Sequence, residues 1–536
     1  MSKLPMQKPI KVIDLFSGPG GLGEGFSSLK NEHGFRPFKL ISSIEKDPSA
    51  HQTLKLRAFF RQFDQAPKEY YEFLKGKMGR TPEELLYKIP KFAPQVSAAE
   101  KEALNLELGK DDEKIYAAIS KSLGDDDCVL IGGPPCQAYS VAGVARNKSN
   151  EKYDARLDNR NFLYKEYLKV IALFQPLAFV MENVKGMLSA KVNGEYIYKS
   201  IFNDLKDPSS SAMLNPINHK GHKYKIVSLV TAKKIGSDLE AKDYVVKSEN
   251  YGIPQRRHRV ILLGIRSDIA DHWGDNILQK CSDTISVSDV LSDLPSLRSG
   301  LSREENTDEA WLESIKSLAC KTIASLEKSG QYDVARHIAE TVSELKIPEN
   351  KQGSNFGLNR SGSLGNKALL QWFYDRNLGD YICNHETRKH LPLDLQRYLF
   401  CSSWAAVGVN ENWDRLSPKA HEFPKALIPN HKNFNSGKFS DRFRVQPASL
   451  PATTITCHIA KDGHYYIHPD YKQCRSFTVR EAARVQTFPD NYFFVGNRTQ
   501  QYIQVGNAVP PLLSSKIARL LYSFLEPICL NRTYID

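Results

Sequence analysis

The 536-residue sequence has few cysteines, and they show none of the spacings that hold a metal ion or a disulfide framework. The nine cysteines are scattered between positions 128 and 529, and no two of them form a Cys-x-x-Cys pair. This absence argues against a zinc cage and against a disulfide-stapled secreted fold. We therefore expect no metal site, and a reducing compartment such as the cytoplasm.

Long apolar runs are also missing. No stretch is long enough to cross a bilayer, and the first residues enter a strand pattern directly instead of a targeting signal. Hydrophobic residues make up 41% of the chain and charged residues 25%, which is typical of a globular protein. We therefore expect no membrane contact, and the length suggests two to four domains.

The charge balance is mildly basic. The formal net charge is +12 at pH 7. Many proteins carry such a charge without binding a polyanion, so this value favours a nucleic-acid partner only slightly.

Strand-like and helix-like patterns alternate in the first half of the chain, which predicts an α/β fold with a parallel sheet. Strand patterns cover residues 10–16, 38–45, 128–131, 177–181 and 260–265, and a helix-like pattern covers 162–174. Between the second and third strand patterns, residues 55–125 are polar and helix-favouring. We interpret this segment as a helical insertion.

The alternation fades beyond about residue 275. Residues 276–450 mix short helices with loops rich in Asn, Ser, Gly and aromatic residues, which indicates a second, irregular domain. Order returns in residues 451–536, with helix patterns at 478–486 and 512–525. We expect this last segment to rejoin the domain formed by residues 1–275.

The stretch GGPPCQAYS, residues 132–140, places Cys136 directly after the apolar run 128–131. The glycines and prolines predict an abrupt end of a buried strand, at the sheet edge where α/β proteins place their chemistry. A small buried side chain beside a turn is the competing interpretation, because most free cysteines are of that kind.

A glycine-rich turn follows the first strand pattern, in DLFSGPGG at residues 14–21. Such a turn lets the backbone approach a ligand and offers its N–H groups. Glu45, at the end of the second strand pattern, suits a carboxylate that binds ribose hydroxyls. By themselves these features fit a dinucleotide equally well, and Glu45 could be a solvated charge.

Two further stretches carry charged groups. In MENV, Glu182 follows the apolar strand pattern 177–180, where burial would favour its protonated form. In QRRHR, Arg257 and Arg259 lie two residues apart on an extended segment, so they could clamp one anionic or polar group. Either stretch could instead be an ordinary solvated feature. RSFTVREAARVQTFPD, residues 475–490, predicts a capped amphipathic helix, and QVGNAVPP, residues 504–511, a rigid loop.

Taken together, in their order along the chain, these six stretches closely resemble the ordered motifs of the cytosine-C5 DNA methyltransferases. The resemblance covers about residues 10–55, 125–270 and 450–520. It implies a Rossmann-like S-adenosylmethionine-dependent methyltransferase sheet, formed by residues 1–275 and 451–536, and a target-recognition domain at 276–450.

The resemblance assigns the catalytic roles. Cys136 resembles the nucleophile that adds to C6 of cytosine, and Glu182 the residue that contacts and protonates N3. Arg257 and Arg259 match the paired arginines that position the base and stabilise developing charge. The resemblance also implies that the target base is flipped out of the duplex.

S-adenosylmethionine is the methyl donor that the resemblance implies. The matching cofactor-binding residues are Phe16, Gly18, Gly20, Gly21, Glu45, Pro135, Leu163, Asn507 and Val509. The acidic residue that contacts the adenine amine is hidden by the helical segment, and Asp111 is only a guess for it.

Double-stranded DNA is the expected partner, with the protein bound as a monomer and a restriction endonuclease as a functional partner. The loop 139–153, which carries Arg146, Lys148 and Lys152, is expected to cover the DNA. Arg442 and Arg444 are candidate base contacts, and a structural role is at least as plausible for them. Three alternatives remain: a tRNA methyltransferase of the same fold, an inactive DNA-binding relative, and a dinucleotide oxidoreductase.

Overall fold

The computed structural model describes residues 8–135, 163–192, 195–212, 221–232, 239–428 and 441–532. Its centre is one mixed sheet of eight strands, in the spatial order β3-β2-β1-β4-β5-β8-β6, with β7 paired to the start of β8. The strands are β1 (Ile10–Leu15), β2 (Phe38–Ile44), β3 (Ala103–Leu104), β4 (Cys128–Gly132), β5 (Ala178–Val184), β6 (Tyr224–Val227), β7 (Val245–Lys247) and β8 (His258–Arg266).

Strand direction differs from the prediction at one edge of the sheet. Strands β1 to β5 are parallel, but β8 runs antiparallel to β5, β6 and β7. The prediction of a parallel sheet is therefore confirmed for β1 to β5 and wrong for β8. An apolar run predicts a buried strand, but it does not encode the direction of that strand.

The α-helices are α1 (Gly21–Ser28), α2 (Pro48–Arg61), α3 (Lys68–Leu74), α4 (Ala93–Glu102), α5 (Asp112–Leu123), α6 (Leu163–Phe174), α7 (Ile197–Lys206), α8 (Pro208–Ser211), α9 (Val287–Leu291), α10 (Asp308–Lys316), α11 (Ala319–Lys328), α12 (Tyr332–Glu344), α13 (Leu370–Phe373), α14 (Pro392–Asn410), α15 (Val479–Val485), α16 (Arg498–Asn507) and α17 (Pro511–Arg532). This confirms the helix predictions near 162–174, 478–486 and 512–525.

Helices cover both faces of the sheet, which explains the continuous apolar strands. On one face, Phe26 of α1 and Ile517 of α17 pack against strand residues such as Val12. On the other face, Ile119 of α5 and Tyr167 of α6 join a second core. The three layers leave the carboxyl ends of β1, β4 and β5 free to carry a site.

The segment 55–125 is not wholly helical. It contains β3, whose Ala103 and Leu104 pair in parallel with Ser43 and Ile44 of β2. The segment therefore supplies β3, which lies at one edge of the sheet. A two-residue strand has no detectable alternation, which is why the sequence pattern did not reveal it.

Residues beyond 275 form two further cores. In one, Trp311 of α10 and Ile338 of α12 pack with Tyr398 of α14 and with Ile467. In the other, Val287 and Phe373 pack with residues of the segment 452–508, such as Phe477. Residues on both sides of position 450 thus share their buried surfaces.

Candidate functional site

The site is built at the carboxyl ends of β1, β4 and β5, where the strand order reverses direction around β1. The segments that leave these ends are the glycine turn after Leu15, the loop Gly133–Pro135, and the end of β5 with Glu182. Open α/β sheets bind their ligands in such a crevice. Cys136 and the loop 139–153 lie outside the described residues.

The turn after β1 has left-handed backbone conformations that favour glycine. Gly18 has φ 56° and Gly20 has φ 96°. A Cβ atom on Gly20 would also approach a side-chain atom of Leu54 and the Tyr492 hydroxyl, each at 2.9 Å, whereas a Cβ on Gly18 would enter open space. The turn is therefore packed tightly on one side and open at Gly18. Phe16 is partly buried beside it and also has a positive φ, 55°.

Glu45 is fixed beside this turn. Its carboxylate accepts a hydrogen bond from the Gly18 N–H at 2.8 Å and another from the Asp47 N–H at 2.7 Å. Burial raises the pKa of Glu45, and the two backbone hydrogen bonds oppose that shift. The carboxylate is thus held rigidly at the end of β2, and its remaining lone pairs can accept hydrogen bonds from hydroxyl groups.

The start of α1 packs against the turn that follows α16. A Cβ on Gly21 would lie 2.2 Å from the Val509 carbonyl oxygen. Val509 is buried, and Asn507 is exposed at the end of α16. The structure thus brings Gly21 and Val509 together. A rigid loop was expected at residues 504–511. Residues 504–507 are instead helical, because α16 continues to Asn507.

Glu182 and Arg259 form an ion pair at the end of β5. Arg259 Nε lies 3.0 Å from Glu182 Oε1, and both side chains are largely buried. The strand does not end before Glu182, as its sequence suggested, but continues to Val184. Because β8 pairs antiparallel with β5, Arg259 lies opposite Val184, at the same end of the sheet.

The neighbouring Asn183 holds the loop that leads to Cys136. Its Nδ2 donates a hydrogen bond to the Pro134 carbonyl at 3.3 Å. A Cβ on Gly133 would lie 3.4 Å from Glu182 Oε2, so this loop also packs on the carboxylate. No role for Asn183 was predicted from the sequence. Pro135 and Leu163 are partly buried, at the end of this loop and at the start of α6.

Arg257 is buried and has a different partner from Arg259. Its Nη1 donates hydrogen bonds to the Ile455 carbonyl at 2.9 Å and to the Gly506 carbonyl at 3.4 Å. Burial, followed by the nearby Arg259, lowers the pKa of Arg257 to about 9, and Glu182 opposes the shift. The two arginines were expected to clamp one group together. Each is instead held by its own partners, although both face the same site.

Asp111, the guess for the adenine contact, has partners within the protein, so that role stays a prediction. The Asp111 carboxylate accepts a hydrogen bond from the Glu107 N–H at 3.1 Å and pairs with Lys114, at the start of α5. Asn105 follows β3 directly, and its Nδ2 donates to the Glu45 carbonyl at 2.9 Å. No sequence signal pointed to Asn105, because the two-residue strand before it has no detectable pattern.

The segment 475–490 makes buried ion pairs with the residues that follow α9. Thr478 caps α15 as predicted, but the helix is buried on all sides and not amphipathic. Arg484 forms buried ion pairs with Asp293 at 3.0 Å and with Asp490 at 2.5 Å. These charges connect α15 to Asp293, just after α9, and to Asp490, which is a structural role.

Arg442 and Arg444 both have partners within the protein. Arg442 Nη2 lies 2.7 Å from Asp462 Oδ2, and Arg444 pairs with Asp441. Contact with a base would require these pairs to open, so their role in recognition stays a prediction.

The described ranges contain neither a metal-binding cluster nor a membrane-spanning helix. In that part of the chain, no group of three or more His, Cys, Asp or Glu side chains could hold a metal ion. Among the helices described, none is long and apolar enough to cross a membrane.

Comparison with known proteins points to one family. The family model described as C-5 cytosine-specific DNA methylase matches residues 107–208 and 217–523. Type II methyltransferase M.Bpa9945I of Bacillus paralicheniformis is 31% identical over 527 residues, which cover 95% of this chain and 97% of that protein. The DNA (cytosine-5-)-methyltransferase M.ApeKI of Aeropyrum pernix is 26% identical over 421 residues, covering 76% of this chain and 83% of that protein.

A solved structure supports the fold. An E. coli prophage protein described as a DNA modification methyltransferase superposes with a TM-score of 0.50, at 20% sequence identity. The alignment covers 96% of this chain and 99% of that one.

Proposed function

The chain belongs to the C-5 cytosine-specific DNA methylase family, and we propose that it is the modification enzyme of a restriction–modification system. Its reaction is methyl transfer to C5 of cytosine in DNA. The site assignment rests on one observation. Glu182, Arg257 and Arg259 are grouped beside the residues 133–135, which lead to Cys136. The family and its named relatives favour DNA over the tRNA alternative.

The glycine turn and the segments around it fit S-adenosylmethionine as the donor, which supplies a methyl group on a sulfonium. Gly18 faces open space, and the Glu45 carboxylate beside it suits the ribose hydroxyls. Phe16, Gly20 and Gly21 complete the turn, and Val509 packs directly on it. Pro135, Leu163 and Asn507 are the remaining proposed contacts.

The chemistry assigned to this chain begins at Cys136. C5 of cytosine is a weak nucleophile, and addition of the Cys136 thiolate to C6 gives an enamine-like ring. C5 of this ring can take the methyl group from the sulfonium donor, whose C–S bond breaks to leave a neutral thioether. Glu182 holds a proton at N3, which makes C6 more electrophilic. Arg257 and Arg259 stabilise the charge that develops on the ring. Loss of the C5 proton and elimination of the thiol release the product.

Access to C6 requires the cytosine to leave the duplex, at a cost of a few kcal/mol. We assign recognition of the surrounding bases to residues 276–450, and coverage of the DNA to the loop 139–153. A monomer acting on double-stranded DNA in the cytoplasm, with a cognate endonuclease as a functional partner, completes the proposal.

Sequencing of DNA from a host that expresses the protein tests this function. Bisulfite conversion reports 5-methylcytosine and its sequence context together. We expect methylation at one recurring sequence with the wild-type protein, and none with Cys136→Ser, because a neutral hydroxyl is a far weaker nucleophile than a thiolate. Unmodified DNA with the folded wild-type protein would contradict the function, and wild-type methylation by the serine variant would contradict the role of Cys136.

A further inference from the structure

Two buried glutamines form an amide pair between Arg257 and the donor side of the site. Gln255 lies in a two-residue strand, Gln255–Arg256, and Gln486 follows α15 directly. Both side chains are fully buried. Gln255 Nε2 donates a hydrogen bond to Gln486 Oε1 at 2.5 Å.

The remaining hydrogen bonds fix the orientation of both amides. Gln255 Oε1 accepts from the Ile455 N–H at 3.1 Å, and its Nε2 also donates to the Val485 carbonyl at 3.1 Å. Gln486 Nε2 donates to the carbonyls of Val505 at 2.7 Å and Ala508 at 3.2 Å. Exchanging the oxygen and nitrogen of either amide would oppose two carbonyls or two donors, so the pair has one arrangement.

This pair holds the backbone that holds Arg257. Gln255 binds the N–H of Ile455, whose carbonyl accepts from Arg257. Gln486 binds the carbonyl of Val505, directly before Gly506, whose carbonyl is the second acceptor. Among the described residues, these two carbonyls are the acceptors for the Arg257 guanidinium, and no carboxylate pairs with it. Its position therefore depends on theirs.

We propose that Gln255 and Gln486 are positioning residues that set Arg257 for the methyl-transfer reaction. The same pair fixes the turn 505–509, which packs on Gly21 at the donor side. One hydrogen-bonded unit thus sets both the base-side arginine and the donor-side turn. This inference rests on the proposed function, because it assigns Arg257 to the reaction.

A double-mutant cycle tests whether Gln255 acts through Arg257. The single-turnover rate of methyl transfer is measured at saturating DNA and S-adenosylmethionine for Gln255→Met, Arg257→Lys and the double variant. We expect Gln255→Met to lower the rate roughly 10- to 100-fold in the wild-type background, since small displacements of catalytic groups have such effects. In the Arg257→Lys background, we expect less than about a threefold effect. An equal factor in both backgrounds would overturn the proposal.

Variants of Gln486 provide a second test of the proposal. Gln486→Met should lower the single-turnover rate and also raise the KM for S-adenosylmethionine, because it releases the turn at Val505 and Ala508. Gln486→Glu should recover activity relative to the wild type as the pH is lowered, since the protonated acid can again donate to one carbonyl. A rate ratio that does not change with pH would contradict the positioning role. This variant also covers the case in which the methionine variants fail to fold.

The matched control is Gln501, another buried glutamine. Its Nε2 donates to the carbonyls of Phe494 and Gly496, neither of which is an acceptor of Arg257. Gln501→Met should lower the thermal midpoint and leave the rate and KM within about twofold of wild type. Rates for the Gln255 and Gln486 variants that match this control would show a merely structural role. A wild-type rate in Arg257→Lys would instead refute the proposed role of Arg257, which separates the two failures.

Discussion

At the scale of single residues, the site depends on how a few charges are partnered. Among the described residues, Glu182 pairs with Arg259, whereas the Arg257 guanidinium donates to two backbone carbonyls. The sequence predicted these residues as candidates for the site, because each belongs to a motif. It could not predict their partners, because Ile455 and Gly506 approach Arg257 from positions about 200 and 250 residues away.

The first residue-scale prediction concerns Glu182. Glu182→Gln keeps the size of the side chain and removes its acid, so we expect the turnover number to fall roughly 10²- to 10⁴-fold. Glu249→Gln is a matched control, because Glu249 pairs with His258 nearby and has no assigned role in the chemistry. Turnover of the Glu182 variant equal to that of the control would exclude Glu182 as the proton donor.

The second residue-scale prediction is a pH dependence of stability. Burial raises the pKa of Asp14 from 3.8 to about 8, against the field of Arg61. The folded chain then binds a proton that the unfolded chain releases, so this contribution is full below about pH 4 and is lost as the pH rises through about 8.

Asp14→Asn removes that titration while keeping the shape of the side chain. Between pH 5 and 8, we expect the free energy of unfolding of the wild type to fall relative to the variant by at most about 1.4 kcal/mol per pH unit. Denaturant unfolding across this range measures the difference, and a difference that is constant with pH would contradict the buried, protonated state.

At the scale of elements, two glycines of α1 allow an effect on donor binding to be distinguished from an effect on general stability. A Cβ on Gly21 would lie 2.2 Å from the Val509 carbonyl, and one on Gly25 would lie 2.4 Å from Ser514 Cβ and 2.5 Å from the Pro511 carbonyl. Both contacts lie along one helix, but only the first reaches the donor side.

Gly21→Ala should therefore weaken S-adenosylmethionine binding about tenfold, because overpacking costs roughly 1–3 kcal/mol. Gly25→Ala should lower the thermal midpoint and leave the affinity unchanged. Titration calorimetry measures both affinities. Equal losses in the two variants would mean that the turn at Val509 does not shape the donor site.

The elements also show where prediction from the sequence ends. Long buried runs such as β1 and β4 were predicted almost to the residue, because burial on both faces leaves a continuous apolar pattern. The two-residue β3 and the antiparallel direction of β8 were missed, because pairing partners and not local pattern determine them.

At the scale of the whole molecule, recognition and chemistry are assigned to different parts of the chain that share buried surface. Replacing residues 276–450 with the counterpart from a relative of different specificity should change the methylated sequence and retain the chemistry. The chimaera needs compatible partners for Phe477 and Ile467, which share cores with the exchanged block. Bisulfite sequencing reads the outcome, and an unchanged target would refute the assignment of recognition to this block.

The covalent reaction of Cys136 is the central claim, and trapping on DNA that carries 5-fluorocytosine at the target tests it most directly. Fluorine cannot leave C5 as a cation, so elimination stalls after methyl transfer and the thioether bond to C6 persists. We predict a denaturation-resistant protein–DNA band that requires S-adenosylmethionine and disappears in Cys136→Ala. Absence of that band with active wild-type protein, or its persistence in Cys136→Ala, would contradict the account.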